Sequence, residues 1–148
     1  MSAEVFLDTN ILIYLFDETD ARKNQRAEEV VRRTLETGGG CISHQVVQET
    51  LNVVTRKLNA TREDAREFLD HVLIPLWKVN PTRALYRRSL DLQQRYGFSF
   101  YDSLIVAAGL EAGCRTLYSE DLQDGQRIEG LTIVDPFRSP VGLAPPPA

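Results

Sequence analysis

Val5-Phe6-Leu7 is apolar at every position and is followed at once by an acid, Asp8. A strand with one wet face alternates apolar and polar residues. A strand without that alternation must be covered on both faces, as in a parallel sheet. Four further short segments read as strands: Cys41-Ile42-Ser43, Leu76-Trp77-Lys78-Val79, Thr116-Leu117-Tyr118 and Leu131-Thr132-Ile133-Val134. Helical patterns separate them. Asn10 to Phe16 reads as a short buried helix. Thr19 or Asp20 fits the cap of a helix to about Glu36, with Ala27, Val30, Val31 and Leu35 at helical spacing and Gly38-Gly39-Gly40 ending it. Ser43 or His44 opens a helix through Leu58. Thr61-x-x-Asp64 is a capping box for the next helix, which Pro75 closes. Asn80-Pro81 fits an N-cap and first-turn proline for a helix to Tyr96, and a last helix covers about Phe100 to Ala112. Strands alternating with helices predict an α/β fold around a parallel sheet. In such sheets ligands bind beyond the carboxyl ends of the strands, where Asp8 and Asp121 both fall.

The 148 residues suit one domain. The expected division is a domain over 1–137 and a Pro-rich, extended and disordered tail over 138–148. Nothing at the start reads as a signal peptide, because Met1-Ser2-Ala3-Glu4 lacks a basic stretch and Asp8 interrupts the apolar run. That run is also too short to span a membrane. Cys41 and Cys114 are far apart in sequence and form no CxxC or Cys/His cluster, which argues against zinc and fits a reducing, cytoplasmic setting.

Four acids stand in apolar surroundings: Asp8, Glu49, Asp102 and Asp121. A carboxylate embedded in apolar sequence is costly unless a positive group meets it. Each has a plainer reading. Asp8 fits a helix cap, although Thr9 or Asn10 would serve equally. Glu49 fits a solvated helix face, although Val46 and Val53 share its side. Ser99-x-x-Asp102 is a capping-box pattern. Asp121 lies in an acidic loop with Glu120 and Asp124, where Ser119 is placed to orient it or to hold a water. Together they weigh more than singly. Two carboxylates ~5 Å apart repel by about 3 kcal/mol at an effective dielectric near 20. A gathered set therefore calls for a cation or a proton, and all-oxygen ligation favours Mg²⁺ or Mn²⁺.

The formal charge of −4, from 17 basic and 21 acidic residues, argues alone against nucleic-acid binding. Two divalent ions would bring the total near zero. Arg22, Lys23 and Arg26, Arg56 and Lys57, and Arg83, Arg87, Arg88 and Arg95 are then candidates for a local basic surface, with solvated helix faces as the plainer reading. Tyr101, Tyr118 or Phe100 are candidates to stack on an unpaired base. The histidines carry less: His71 lies far from every motif, and His44 reads as capping or packing.

From Val5 to about Phe137 the chain resembles the PIN-domain ribonucleases, and within them the VapC-type toxins of type II toxin–antitoxin systems. Four stretches carry the resemblance: Phe6-Leu7-Asp8-Thr9-Asn10-Ile11-Leu12, the helix with Glu49, Phe100-Tyr101-Asp102-Ser103-Leu104-Ile105, and Leu117-Tyr118-Ser119-Glu120-Asp121-Leu122. It implies a three-layer α/β/α fold with a five-stranded, mostly parallel sheet. It implies a Mg²⁺- or Mn²⁺-dependent endoribonuclease acting on RNA, a cognate antitoxin and a homodimer. Asp8, Glu49, Asp102 and Asp121 fall on the family's acidic positions, with Ser119, Asp124, Thr9 and Asn10 in support. The helix with Phe68, Leu69, Val72 and Leu73 would then offer an antitoxin segment an apolar face.

Rival readings are a haloacid-dehalogenase-like phosphatase or receiver domain, a catalytically silent interaction module, and a housekeeping PIN nuclease. Asn10 stands where the phosphatase would want a second Asp, and no lysine occurs in the final third for a receiver.

Overall fold

The computed structural model describes residues 3–138. The chain forms a six-stranded sheet in the order β3-β2-β1-β4-β6-β5. Val5–Leu7 is β1, Gly40–Ser43 β2, Trp77–Val79 β3, Thr116–Tyr118 β4, Arg127–Ile128 β5 and Leu131–Val134 β6. All neighbours are parallel except β5 with β6. The sequence-based expectation of five strands is thus one short. The extra strand has two residues, and it pairs because the tight turn at Glu129, with φ of 56°, folds Arg127 back onto Thr132. The proline-rich segment expected to be disordered lies, beyond Arg138, outside the described residues.

Helices are Thr9–Ile13 (α1), Ala21–Thr37 (α2), His44–Arg56 (α3), Arg62–Phe68 (α4), Ile74–Leu76 (α5), Arg83–Tyr96 (α6) and Phe100–Glu111 (α7). Local capping explains most of their starts. Asp20 Oδ1 accepts from the Lys23 amide at 3.1 Å, Thr61 Oγ1 from Asp64 at 3.0 Å and Ser99 Oγ from Asp102 at 3.1 Å. Two expectations need correction. The helix over 83–96 is capped by Thr82, whose hydroxyl accepts from Leu85 at 3.0 Å, so Asn80-Pro81 lies outside it. Pro75 does not close the preceding helix. A π-helical turn over Leu69–Leu73 lets the Ile74 amide reach back five residues to Leu69, and the chain winds on through Pro75 to Leu76.

The strand register explains the layering. Val5 pairs with Gly40 and Thr116, whereas Phe6 pairs with Cys41 and Leu117, so these two rows face opposite sides of the sheet. On the Val5 side, a Cβ on Gly40 would stand 2.6 Å from a Leu76 methyl and 2.7 Å from Thr34 Cβ, so α2 and α5 close over β2. On the Phe6 side, a Cβ on Gly109 would meet Leu131 at 3.2 Å and Phe6 at 3.6 Å. Helix α7 therefore lies directly on the sheet. It is buried from Ser103 to Gly109, as an all-round apolar helix must be.

β1 sits between β2 and β4. The chain builds outward from β1 to β2 and β3, then crosses to β4 on the other side. The reversal opens a crevice beyond Leu7 and Tyr118, where doubly wound sheets bind their ligands.

Candidate functional site

Asp8 and Ser119 are the first residues past those two strand ends, at the crevice. Leu7 and Tyr118 are in register, and the Asp8 amide donates to the Tyr118 carbonyl at 3.0 Å. Both side chains are buried. Asp8 Oδ1 accepts from the Thr9 amide at 2.7 Å, so it does cap α1, and Oδ2 accepts from Ser119 Oγ at 2.8 Å. Ser119 Oγ in turn accepts from the Leu122 amide at 3.2 Å. The serine therefore orients Asp8, not Asp121.

The first turn of α1 collects two more acids. Thr9 Oγ1 donates to Glu49 Oε1 at 2.9 Å, from a residue forty positions ahead of it. Asn10 Nδ2 donates to Asp121 Oδ2 at 2.5 Å. Thr9 and Asn10, which the sequence offers as alternative caps, instead hold one carboxylate on each side of Asp8. Residues 8–10 thus supply one of the four acids and hold two more. Glu120 turns away: it accepts from Tyr14 Oη at 2.6 Å and pairs with Lys23. Asp124 also points elsewhere, accepting from the Asp135 amide at 2.8 Å and pairing with Arg138 at 3.6 Å. Asp102 stands half-buried in the first turn of α7, one residue past Tyr101, whose carbonyl accepts from Gln45 of α3.

The electrostatics follow from this geometry. Burial pushes the Asp8 carboxyl up to about 6. The hydrogen bonds from Ser119 and Thr9 pull against that, and the negative charges of Asp121 and Glu49 add to it. Among the described residues, no lysine or arginine forms an ion pair with Asp8, Glu49, Asp102 or Asp121. The donor set is all oxygen with uncompensated charge, which suits a hard divalent cation. Among the described residues, however, no three acidic, histidine or cysteine side chains close on one point. Their hydrogen bonds to Thr9 and Asn10 keep Glu49 and Asp121 turned to α1.

Several cations offered by the sequence are already engaged. Arg22 and Arg26 donate to the Phe137 and Pro136 carbonyls, and Arg88 meets Glu111 and Glu129. Tyr118 is buried and unable to stack on a ligand, whereas Tyr101 is 65% exposed.

Among the described residues, no helix is long and apolar enough to cross a membrane. No curated protein matches the chain. Several solved structures share its fold. One is VapC20 of Mycobacterium tuberculosis, a sarcin–ricin loop cleaving toxin, at 22% identity over 80% of this chain and 90% of that one, with a TM-score of 0.58. Another is a toxin–antitoxin complex from Klebsiella pneumoniae, at 21% identity over 90% of this chain and 98% of that one, with a TM-score of 0.62. The PIN domain family model matches residues 5–127, with Asp8, Glu49, Asp102 and Asp121 all inside the matched span, and the chain belongs to the PIN domain family.

Proposed function

We propose that the chain is a divalent-metal-dependent endoribonuclease and serves as the toxin of a toxin–antitoxin pair. The observation that carries this reading is the buried Asp8 carboxylate at the crevice between β1 and β4, flanked by Glu49 and Asp121 and paired with no cationic side chain among the described residues. A site of this kind keeps its negative charge for a ligand. The fold shared with a sarcin–ricin loop cleaving toxin and with a toxin–antitoxin complex supports RNA as substrate and a protein antitoxin as partner.

Asp8 and Asp102 would hold Mg²⁺ or Mn²⁺, with Glu49 and Asp121 completing or extending the site. When bound, such an ion supplies an activated water and neutralises charge growing on the phosphate. The chain's own residues do the positioning. Ser119 and the Thr9 amide fix both oxygens of Asp8. Thr9 Oγ1 and Asn10 Nδ2 hold Glu49 and Asp121 on either side of Asp8. No histidine acid–base pair is required, which fits a chain in which His71 is exposed and His44 packs on Trp77 with ring centroids 5.7 Å apart.

The test is Mn²⁺-dependent cleavage of cellular RNA by the purified chain and by Asp8→Asn. The variant should lose more than the roughly hundredfold that an outer-shell change costs. Undiminished cleavage by it removes the nuclease reading. Growth arrest on expression, relieved by co-expressing the product of the neighbouring open reading frame, tests the toxin role separately.

A further inference from the structure

Beside the acidic crevice lies a second concavity of about 90 Å³, between the first turns of α3 and α7 and the ends of β2 and β3. His44, Gln45, Gln48, Asn80, Tyr86 and Tyr101 are among its lining residues. It shares its helices with the proposed site. Gln45 is one turn before Glu49 on α3, and Tyr101 immediately precedes Asp102 on α7.

Three observations bear on what it takes. Gln45 Nε2 donates to the Tyr101 carbonyl at 3.3 Å. A carbonyl only accepts, so this bond fixes which way the amide points. Gln45 lines the cavity, and its Oε1 is buried with no partner, so a side-chain movement would bring it to a ligand. A buried acceptor left unpaired is costly and marks a place for a donor. Finally, the Tyr101 ring is 65% exposed, with Phe100 edge-on at 5.6 Å and Tyr86 stacked beyond it at 6.3 Å from Phe100. An exposed aromatic beside an orphan acceptor and neutral amides is the chemistry that holds an unpaired nucleobase: stacking on the ring, and a hydrogen bond to the base edge.

We propose that this cavity receives an unpaired base next to the cleaved phosphate and selects a base carrying an exocyclic amino group, an inference that rests on the nuclease reading above. Adenine, cytosine and guanine offer such a donor to Gln45 Oε1. Uracil has no exocyclic donor; its one ring N–H can meet that acceptor only with a carbonyl oxygen on each side, which makes it the poorer partner. Gln45 is a specificity-determining residue, and Tyr101 provides the stacking surface for any base.

The test uses hexauridine and the same hexamer carrying one adenosine, cytidine or guanosine. Binding is measured by fluorescence anisotropy with EDTA present, so that no cleavage enters. At least one amino-base hexamer should bind about tenfold more tightly than hexauridine. Gln45→Leu should bring the four within twofold of each other. Tyr101→Leu, at an exposed ring outside the core, should weaken all four by roughly tenfold while keeping their order. Equal binding of the four hexamers by the unaltered chain, or a preference that survives Gln45→Leu in a folded variant, overturns the proposal. The two readings fail separately. Mn²⁺-dependent cleavage with equal binding removes the base pocket and leaves the nuclease. Base-selective binding without cleavage removes the nuclease and leaves the pocket.

Discussion

The two ends of the parallel sheet differ in how they treat polar groups. At the amino end the backbone groups are paired from strand to strand, although Glu4 Oε2 is buried there without a partner. Lys78 Nζ donates to the carbonyls of Gly38 and Gly40 at 2.9 and 2.6 Å. The Glu4 carbonyl takes the amides of Arg115 and Thr116, and the Gly39 carbonyl takes those of Glu4 and Val5. Gly40 leaves no room for even a methyl group between Thr34 and Leu76. Nearby, the free, buried thiol of Cys41 donates to the Ile42 carbonyl at 3.7 Å, and the neighbouring Cys41 sulfur together with burial raises the pKa of Cys114. At the carboxyl end, Asp8 is buried among like charges. One end is arranged to hold the sheet together, and the other carries a charge that the fold alone leaves unsatisfied.

The comparison breaks most readily at Asp8. The folded chain keeps the Asp8 proton up to about pH 6, whereas the unfolded chain gives it up near 3.8. Within that window the native state binds more protons, so stability falls as pH rises and levels off above it. The difference is of the order of 3 kcal/mol. Urea unfolding at pH 4 and pH 7, for the chain and for Asp8→Asn, should show the variant relatively more stable at pH 7 by a comparable amount, with the gap closing at pH 4. A gap of the same size at both pH values would mean that Asp8 is not held against its charge.

The opposite end gives the next effect. Gly40→Ala should cost about 2 kcal/mol by overpacking against Thr34 and Leu76. Chemical denaturation measures it, while RNA cleavage per folded molecule stays unchanged. An unaltered midpoint would show that the amino end is looser than its geometry. The smallest effect sharpens the contrast. Mg²⁺ at ten times its dissociation constant should stabilise the chain by about 1.4 kcal/mol. It should leave Asp8→Asn nearly unmoved in the same thermal melt.

What was legible in the sequence follows from range. The caps at Asp20, Thr61 and Ser99 are each a side chain bonding an amide three residues on, and such local chemistry shows in spacing alone. The strands β1, β2, β4 and β6 show in short apolar runs, and the all-apolar stretch of α7 marks a central helix. The two-residue β5 has no periodicity to show, and its turn uses Glu129 in place of a glycine. Pro75 reads as a stop because the wide turn before it is a property of backbone bonding, not of residue type. The acids show one by one in the sequence, their gathering is what the family resemblance implies, and the links that hold them do not show. Ser119 reaches Asp8 only because Leu7 and Tyr118 lie in register across 111 positions, and Thr9 and Asn10 act as links only once α3 and the loop after β4 arrive beside α1. Gln45 was silent for the same reason, since its partner is a main-chain carbonyl 56 positions away.

The crossover from β3 to β4 has a consequence for synthesis. As the polypeptide leaves the ribosome, β1 can acquire β2 and β3 at one flank while its other flank stays bare until Tyr118 has emerged. Asp8 has no Ser119, and Asn10 no Asp121, before that moment. A crevice whose two walls lie 111 positions apart is therefore completed late, and under the nuclease reading its acids meet only once both segments are in place.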